Sequence, residues 1–301
     1  MLDLFAGTGV GVAAQRLGIE EHGVEIMPAA VSSREAAGMM TVYRDVWDID
    51  LLPQESYDIL WASPPCQTFS VAGSGAGRDN LSAVLDAVSK GKYRDLGALR
   101  ELSQEVGDER TALVLTPLLY AGLVNPTFIA LEQVVEVLPV WESFRDVLEA
   151  QGFSVSTGVL DAQNFSVPQS RRRAILVARR DGREARLPAP TGRADLRQIR
   201  PDQEGLISNY SSRGVKSIQV PGNKLPRGFR GINEPAFTAT SKVTSQRWYP
   251  SMERVTEAEA AKIQSYPEGF PFQGTKSDIR LQIGNAVPPL LAEAILKEFI
   301  E

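Results

Sequence analysis

The chain has a single cysteine, Cys66, in the stretch Ser63-Pro64-Pro65-Cys66-Gln67-Thr68-Phe69-Ser70, directly after the apolar run Tyr57-Asp58-Ile59-Leu60-Trp61-Ala62. Two prolines fix φ and remove backbone donors, so the thiol should stand on a stiff turn at the carboxyl end of a strand, where a nucleophile would be presented. Left alone, a lone cysteine is as well explained as a small buried hydrophobe. Nucleophilic chemistry needs partners, and two lie further along. Glu132 closes the run Thr127-Phe128-Ile129-Ala130-Leu131, and Arg171-Arg172-Arg173 lead into Ala174-Ile175-Leu176-Val177-Ala178. Taken singly, the first is an ordinary strand-end carboxylate and the second a solvated basic cluster. The sole cysteine rules out an internal disulfide framework and a cysteine-rich zinc site. The sole histidine, His22, leaves no His-His metal pair, so no metal is expected.

A second group of residues suggests a bound nucleotide. Phe5-Ala6-Gly7-Thr8-Gly9 lies between a short apolar strand and a helical pattern, where glycines let the backbone approach a ligand and the helix start favours anionic groups. Glu25 follows about 20 residues on, at the end of the next expected strand, where it could accept hydrogen bonds from ribose hydroxyls. Asp45 ends the third and is placed to hold an adenine amino group. The turn lacks the lysine of a phosphate-cradling loop. An adenosine-containing cofactor follows, with NAD and S-adenosylmethionine both open on these residues alone.

These groups need a scaffold that brings strand ends together. Short strands at 1–5, 23–25, 43–46 and 57–62 alternate with helical segments from Val12 to Leu17 and from Ala29 to Ala37, with Gly7 to Gly11 read as a flexible turn. This alternation indicates an α/β fold with an open, mostly parallel sheet and helices on both faces. After Arg180 the chain becomes rich in Pro, Gly, Ser, Asn and Arg. Helical order returns at Thr256, a plausible N-cap, and in a final helix from Pro289 to Phe299. Three segments are expected: a catalytic and cofactor-binding part over 1–180, a small loop-rich domain over 181–235, and a return to the first domain over 236–301.

The 301 residues, 43% hydrophobic and 23% charged, are those of an ordinary globular protein with room for a large core. No apolar run is long enough to span a bilayer and the start carries no export signal, so no membrane partner and a cytoplasmic location are expected. The net charge of −5 conceals an asymmetry: residues 171–230 hold 15 Lys+Arg against 5 Asp+Glu. A local excess of positive charge in an acidic chain suits a polyanion bound on one face.

Five motifs, Asp3-Leu4-Phe5-Ala6-Gly7-Thr8-Gly9, Pro64-Pro65-Cys66-Gln67-Thr68-Phe69-Ser70, Glu132-Gln133-Val134, Gln169-Ser170-Arg171-Arg172-Arg173 and Gly284-Asn285-Ala286-Val287-Pro288-Pro289, occur in the order seen in the cytosine-5 DNA methyltransferases. Across nearly its whole length the chain resembles that family. The resemblance implies a Rossmann-like class I methyltransferase fold with a target-recognition domain. It implies S-adenosylmethionine as cofactor, with S-adenosylhomocysteine as product, held by Phe5, Gly7, Gly9, Glu25, Asp45, Val46, Pro64, Leu113, Asn285 and Ala286. It implies double-stranded DNA as substrate, contacted by Gln67, Ser70, Arg213, Arg227 and Arg230. A monomer is expected, as is a setting such as restriction-modification, with a cognate endonuclease encoded nearby.

The implied mechanism accounts for the residue types. Cytosine C5 becomes nucleophilic once a soft thiolate, here Cys66, adds to C6. Glu132 as a carboxylic acid would hydrogen-bond N3 and the exocyclic amine, Arg173 would present donors to O2, and Arg171 would organise Glu132 or the ring. The target base must be flipped out of the stack. Two other readings stand beside this one, a tRNA methyltransferase of the same family and a catalytically silent DNA-binding relative. Three features depart from the family pattern. Gln133 stands where many members have asparagine. The first strand is short for a central position. The stretch 73–110 is roughly 28 residues longer than in compact members and occupies the place of the loop that closes over DNA, so it is expected to be flexible until DNA binds.

Overall fold

The computed structural model describes residues 1–48, 57–65, 81–107, 109–208 and 228–300. Seven strands form one sheet, β1 (Leu2–Leu4), β2 (His22–Val24), β3 (Met40–Tyr43), β4 (Ile59–Ala62), β5 (Phe128–Gln133), β6 (Ser154–Asp161) and β7 (Arg172–Arg179), in the order β3-β2-β1-β4-β5-β7-β6. The first five strands of that order run parallel, and β7 is antiparallel to both of its neighbours. From β1 the chain moves outward through β2 to β3 and then returns to place β4 on the other side. This reversal opens a crevice at the carboxyl ends of β1 and β4, the usual ligand position in such sheets. Although it has three residues, β1 is held on both edges and is fully buried.

The period-2 alternation of the strands divides the core between two faces. Leu2, Leu4, Leu60, Ala62, Ile129, Leu131, Ala174 and Leu176 face one side, under helices that include Thr116–Val124 and Leu138–Glu149. Ile59, Trp61, Ala130, Ile175 and Val177 face the other, against Val10 and Ala13 of helix Gly9–Leu17 and Leu291, Ile295 and Phe299 of helix Pro289–Ile300. A third cluster joins Val12 and Met39 to Leu206, Trp248, Ile263, Tyr266 and Ile283. It lies beneath a small antiparallel sheet ordered β10 (Arg247–Tyr249), β8 (Gly205–Ile207) and β9 (Phe229–Gly231). The expected boundary at residue 235 thus falls between β9 and β10. The loop-like composition conceals strands of only three residues, too short to show a period.

Two further expectations are corrected. The flexible turn at 7–11 is shorter than expected, because Gly9 and Gly11 already lie within the first helix. Their lack of side chains serves packing: a Cβ on Gly9 would sit 2.0 Å from the Val287 carbonyl oxygen, and one on Gly11 would sit 2.6 Å from Met39 Sδ. The long insertion, over its described part 81–107, is not a loose flap. It forms helices Leu81–Ser89 and Leu96–Val106, and Val84, Ala87, Val88, Tyr93, Leu99 and Leu102 are buried in the first core cluster. Asp95 caps the second helix by accepting from Ala98 N at 2.8 Å, and Gly107 ends it in the left-handed conformation. Near the end of the chain Thr256 forms a reciprocal capping box with Glu259, as its N-cap position suggested.

Leu99→Ala tests this packing. Leu99 is fully buried, so the truncation should cost about 2–5 kcal/mol, seen as a lower midpoint in urea denaturation without DNA. An unchanged midpoint would restore the picture of a mobile flap.

Candidate active site

The crevice at the carboxyl edge of the sheet gathers most of the residues expected to bind a cofactor. After β1 the backbone turns through Phe5 (φ 59°) and Gly7 (φ 48°) into the helix that starts at Gly9. Glu25, just past β2, accepts from Gly7 N at 2.8 Å with one carboxylate oxygen and from Met27 N at 2.7 Å with the other. Each oxygen keeps a lone pair for a ligand hydroxyl. Thr8, the helix N-cap residue, makes no side-chain cap bond, and the first turn contains no acidic residue that would repel an anionic group. Asp45, just past β3, closes a turn by accepting from Trp47 N at 3.0 Å. Asn285 is exposed at the end of helix Lys276–Asn285, and the approach of Gly9 to Val287 brings it beside the glycine turn. Leu113 and Phe5 are half-buried against the first core cluster.

The reversed direction of β7 completes the edge. In the antiparallel register Glu132 lies opposite Ile175 and Gln133 opposite Ala174, so the start of β7 meets the end of β5. Arg173 Nε stands 2.8 Å from Glu132 Oε1, and both side chains are largely buried. The contact is an ion pair without hydrogen-bond alignment, which leaves Oε1 free of a hydrogen-bond donor among the described residues. Gln133 holds the loop after β4: its amide nitrogen donates to the Pro64 carbonyl, and its Oε1 accepts from Val134 N at 2.6 Å. The Pro64-Pro65 turn is therefore tied to the end of β5. Cys66, Gln67, Ser70, Arg213 and Arg227 lie outside the described residues.

Arg171 is tied to backbone from distant segments. Its guanidinium, almost wholly buried, donates to Ala239 O at 3.0 Å, Gly284 O at 3.1 Å and Ala286 O at 3.0 Å. It braces the Asn285 segment. The motif spacing could not show this, because the accepting carbonyls come from segments distant in sequence. Arg230, expected at DNA, is half-buried, with an ion pair to Glu234 at 3.6 Å and its guanidinium 5.1 Å from the Phe237 ring centre. Others in the basic stretch are likewise engaged, Arg197 with Asp195 and Arg200 with Asp202, Glu253 and Glu259. Among the described residues, these arginines are bound to carboxylates rather than standing alone.

Two crevice residues were not singled out from the sequence. Ile26, directly after Glu25, is 65% exposed, an apolar side chain left in the open. Its position after the strand-ending acid was the available signal. Tyr120, buried in helix Thr116–Val124, donates to the Val46 carbonyl at 2.8 Å and fixes the Asp45 turn from behind. Burial, with Asp45 and Asp48 nearby, holds its hydroxyl above the ordinary tyrosine range, so it remains a donor. Nothing local in the sequence marked it.

The profile of the family described as C-5 cytosine-specific DNA methylase matches residues 1–86, 103–219 and 207–301. Among curated relatives, the type II methyltransferase M.NlaX of Neisseria lactamica is 26% identical over 99% of this chain and 95% of its own length. M.HgiDI of Herpetosiphon aurantiacus is also 26% identical, over 97% of this chain and 91% of its own. Solved structures share the fold. A Spodoptera frugiperda DNMT2 mutant superposes with TM-score 0.65 and 18% identity, covering 100% of this chain and 99% of its own. A putative DNA modification methyltransferase encoded within an Escherichia coli prophage gives 0.61 and 17%, covering 99% and 97%.

Arg171→Lys keeps the charge but cannot span three carbonyls. It should destabilise the fold by about 1.5–3 kcal/mol in urea denaturation. A variant as stable as the parent, with methyl transfer lost, would return Arg171 to the reacting ring.

Proposed function

Because the chain belongs to the C-5 cytosine-specific DNA methylase family and is a DNA (cytosine-5) methyltransferase, we propose that it draws its methyl group from S-adenosylmethionine and uses Cys66 as nucleophile. The observation that carries this reading is the Glu132–Arg173 pair at the same sheet edge as the glycine turn. The crevice suits the cofactor chemically. The helix start would hold its carboxylate, Glu25 its ribose hydroxyls, Asp45 and the Val46 backbone its adenine, and Ile26 would offer the adenine an apolar face. When bound, S-adenosylmethionine supplies an electrophilic methyl group and leaves as S-adenosylhomocysteine.

The chain's own residues then divide the work on a flipped cytosine. The Cys66 thiolate adds to C6 and pushes electron density to C5. Glu132 would hydrogen-bond N3 and the Arg173 guanidinium would donate to O2, so charge developing on the ring would meet fixed polar groups. After methylation a base removes the C5 proton and the thiolate departs, restoring the aromatic ring. Flipping the base costs a few kcal/mol, which contacts from the small domain would offset. We assign target recognition to 181–235 extended through β10, with Arg213, Arg227 and Arg230 toward DNA. The enzyme would act as a cytoplasmic monomer, alongside a cognate endonuclease, as the type II names of its relatives suggest.

Cys66→Ala should abolish transfer of labelled methyl groups to duplex DNA while S-adenosylhomocysteine binding, followed by calorimetry, stays within about twofold. Wild-type enzyme should form a covalent complex with 5-fluorocytosine DNA that the variant cannot form. A variant that still methylates would remove Cys66 from the mechanism.

A further inference from the structure

Beneath the glycine turn lie three charged side chains that the reaction does not use. Arg34, from helix Pro28–Ala36, is fully buried. Its Nη2 donates to Glu21 Oε1 at 2.7 Å, Glu21 Oε2 at 2.8 Å and Met40 O at 2.6 Å, and its Nε donates to Thr41 Oγ1 at 3.0 Å. The remaining nitrogen, Nη1, reaches the Gly7 carbonyl at 3.1 Å. The Gly7 residue is thereby fixed at both ends, its N–H by Glu25 and its C=O by Arg34. Gly23 in β2 makes room for this crossing, since a Cβ there would sit 2.1 Å from Arg34 Nη2.

Asp3 in the centre of β1 is the odd member. It is fully buried, and neither of its carboxylate oxygens receives a donor from the described residues. It lies instead against Glu21, a second carboxyl group. Two ionised carboxylates in contact in a dry interior with one guanidinium would leave an uncompensated buried charge. A proton between them removes it and provides the donor that Asp3 lacks.

We propose that Asp3 and Glu21 share one proton beneath the Gly7 turn, forming with Arg34 a neutral unit in which Arg34 is a positioning residue for the cofactor turn. The part concerning the cofactor rests on the reading of the crevice given above; the shared proton does not. The charged groups facing Asp3 are Glu21, Arg34, Glu25 and the amino group of Met1. Burial, followed by the Glu21 charge, holds the Asp3 carboxyl well above the usual carboxylate range, and Arg34 opposes this less strongly. An unfolded Asp3 ionises near pH 4, so between that pH and its raised folded value unfolding releases a proton and stability falls as pH rises.

The test compares wild type with Asp3→Asn, whose amide N–H can replace the shared proton toward Glu21. Urea denaturation between pH 5 and pH 7 should show the variant gaining on the wild type in folding equilibrium constant as pH rises, by up to about tenfold per pH unit, the limit for one proton. A ratio that does not change with pH overturns the shared proton. Calorimetry with S-adenosylhomocysteine should show Asp3→Asn binding within about twofold of wild type. Arg34→Lys, checked for native circular dichroism, should bind at least about tenfold more weakly, with kcat at saturating S-adenosylmethionine little changed. Unchanged affinity in Arg34→Lys overturns the positioning role. If Arg34→Lys does not fold, Thr41→Val, which removes the Nε acceptor, is measured in its place, and unchanged affinity there overturns the role equally. Wild-type protein that binds no S-adenosylhomocysteine would refute the cofactor reading, and the pH comparison would still judge the shared proton.

Discussion

The site depends on a contact between the two ends of the chain. Gly9 presses its backbone onto the Val287 carbonyl so closely that no side chain fits between them. This approach brings Asn285 beside the glycine turn although 275 residues lie between it and Gly9. Arg171 secures the arrangement from a third direction by collecting the carbonyls of Ala239, Gly284 and Ala286. Gly284 is constrained in turn, because a Cβ there would fall 2.4 Å from Ser241 N. Backbone packed against backbone tolerates little adjustment, and the crevice takes its shape from that rigidity.

The sheet contributes direction as well as support. Parallel strands deliver Glu25, Asp45 and Pro64 to one edge because each meets that edge with its carboxyl end. Arg173 comes at the beginning of its strand and reaches the same edge because β7 runs the opposite way. A parallel β7 would have carried the guanidinium to the far side of the molecule. The single reversed strand is therefore what allows a carboxyl group from β5 and a guanidinium from β7 to meet.

Much of this was legible in the residues, for reasons that differ from site to site. Glu25 and Asp45 could be read because strand-ending acids mark the ligand edge of an α/β sheet. The helix at Thr256 could be read because a capping box is a local pattern. Arg171 could not, since its acceptors are backbone atoms, and backbone carries no sequence signal. The apolar spacing from Leu81 to Val88 marks a helix in the sequence, whereas the burial of that helix in the core comes from partners distant in the chain. The arginines after 180 looked available because a sum of charges does not show that Arg200 is held by three carboxylates.

The small sheet also bears on how such proteins could be recombined. Trp248 of β10 is buried among Leu206, Ile263 and Ile283, so the unit borrows much of its interior from helices that close the larger domain. A transplant cut at residue 235 would leave β10 behind and offer a recipient two strands without their floor. An intact transfer of the unit would follow a different seam, one that carries β8, β9 and β10 together and leaves the helix Glu257–Ile263 in place as a common socket.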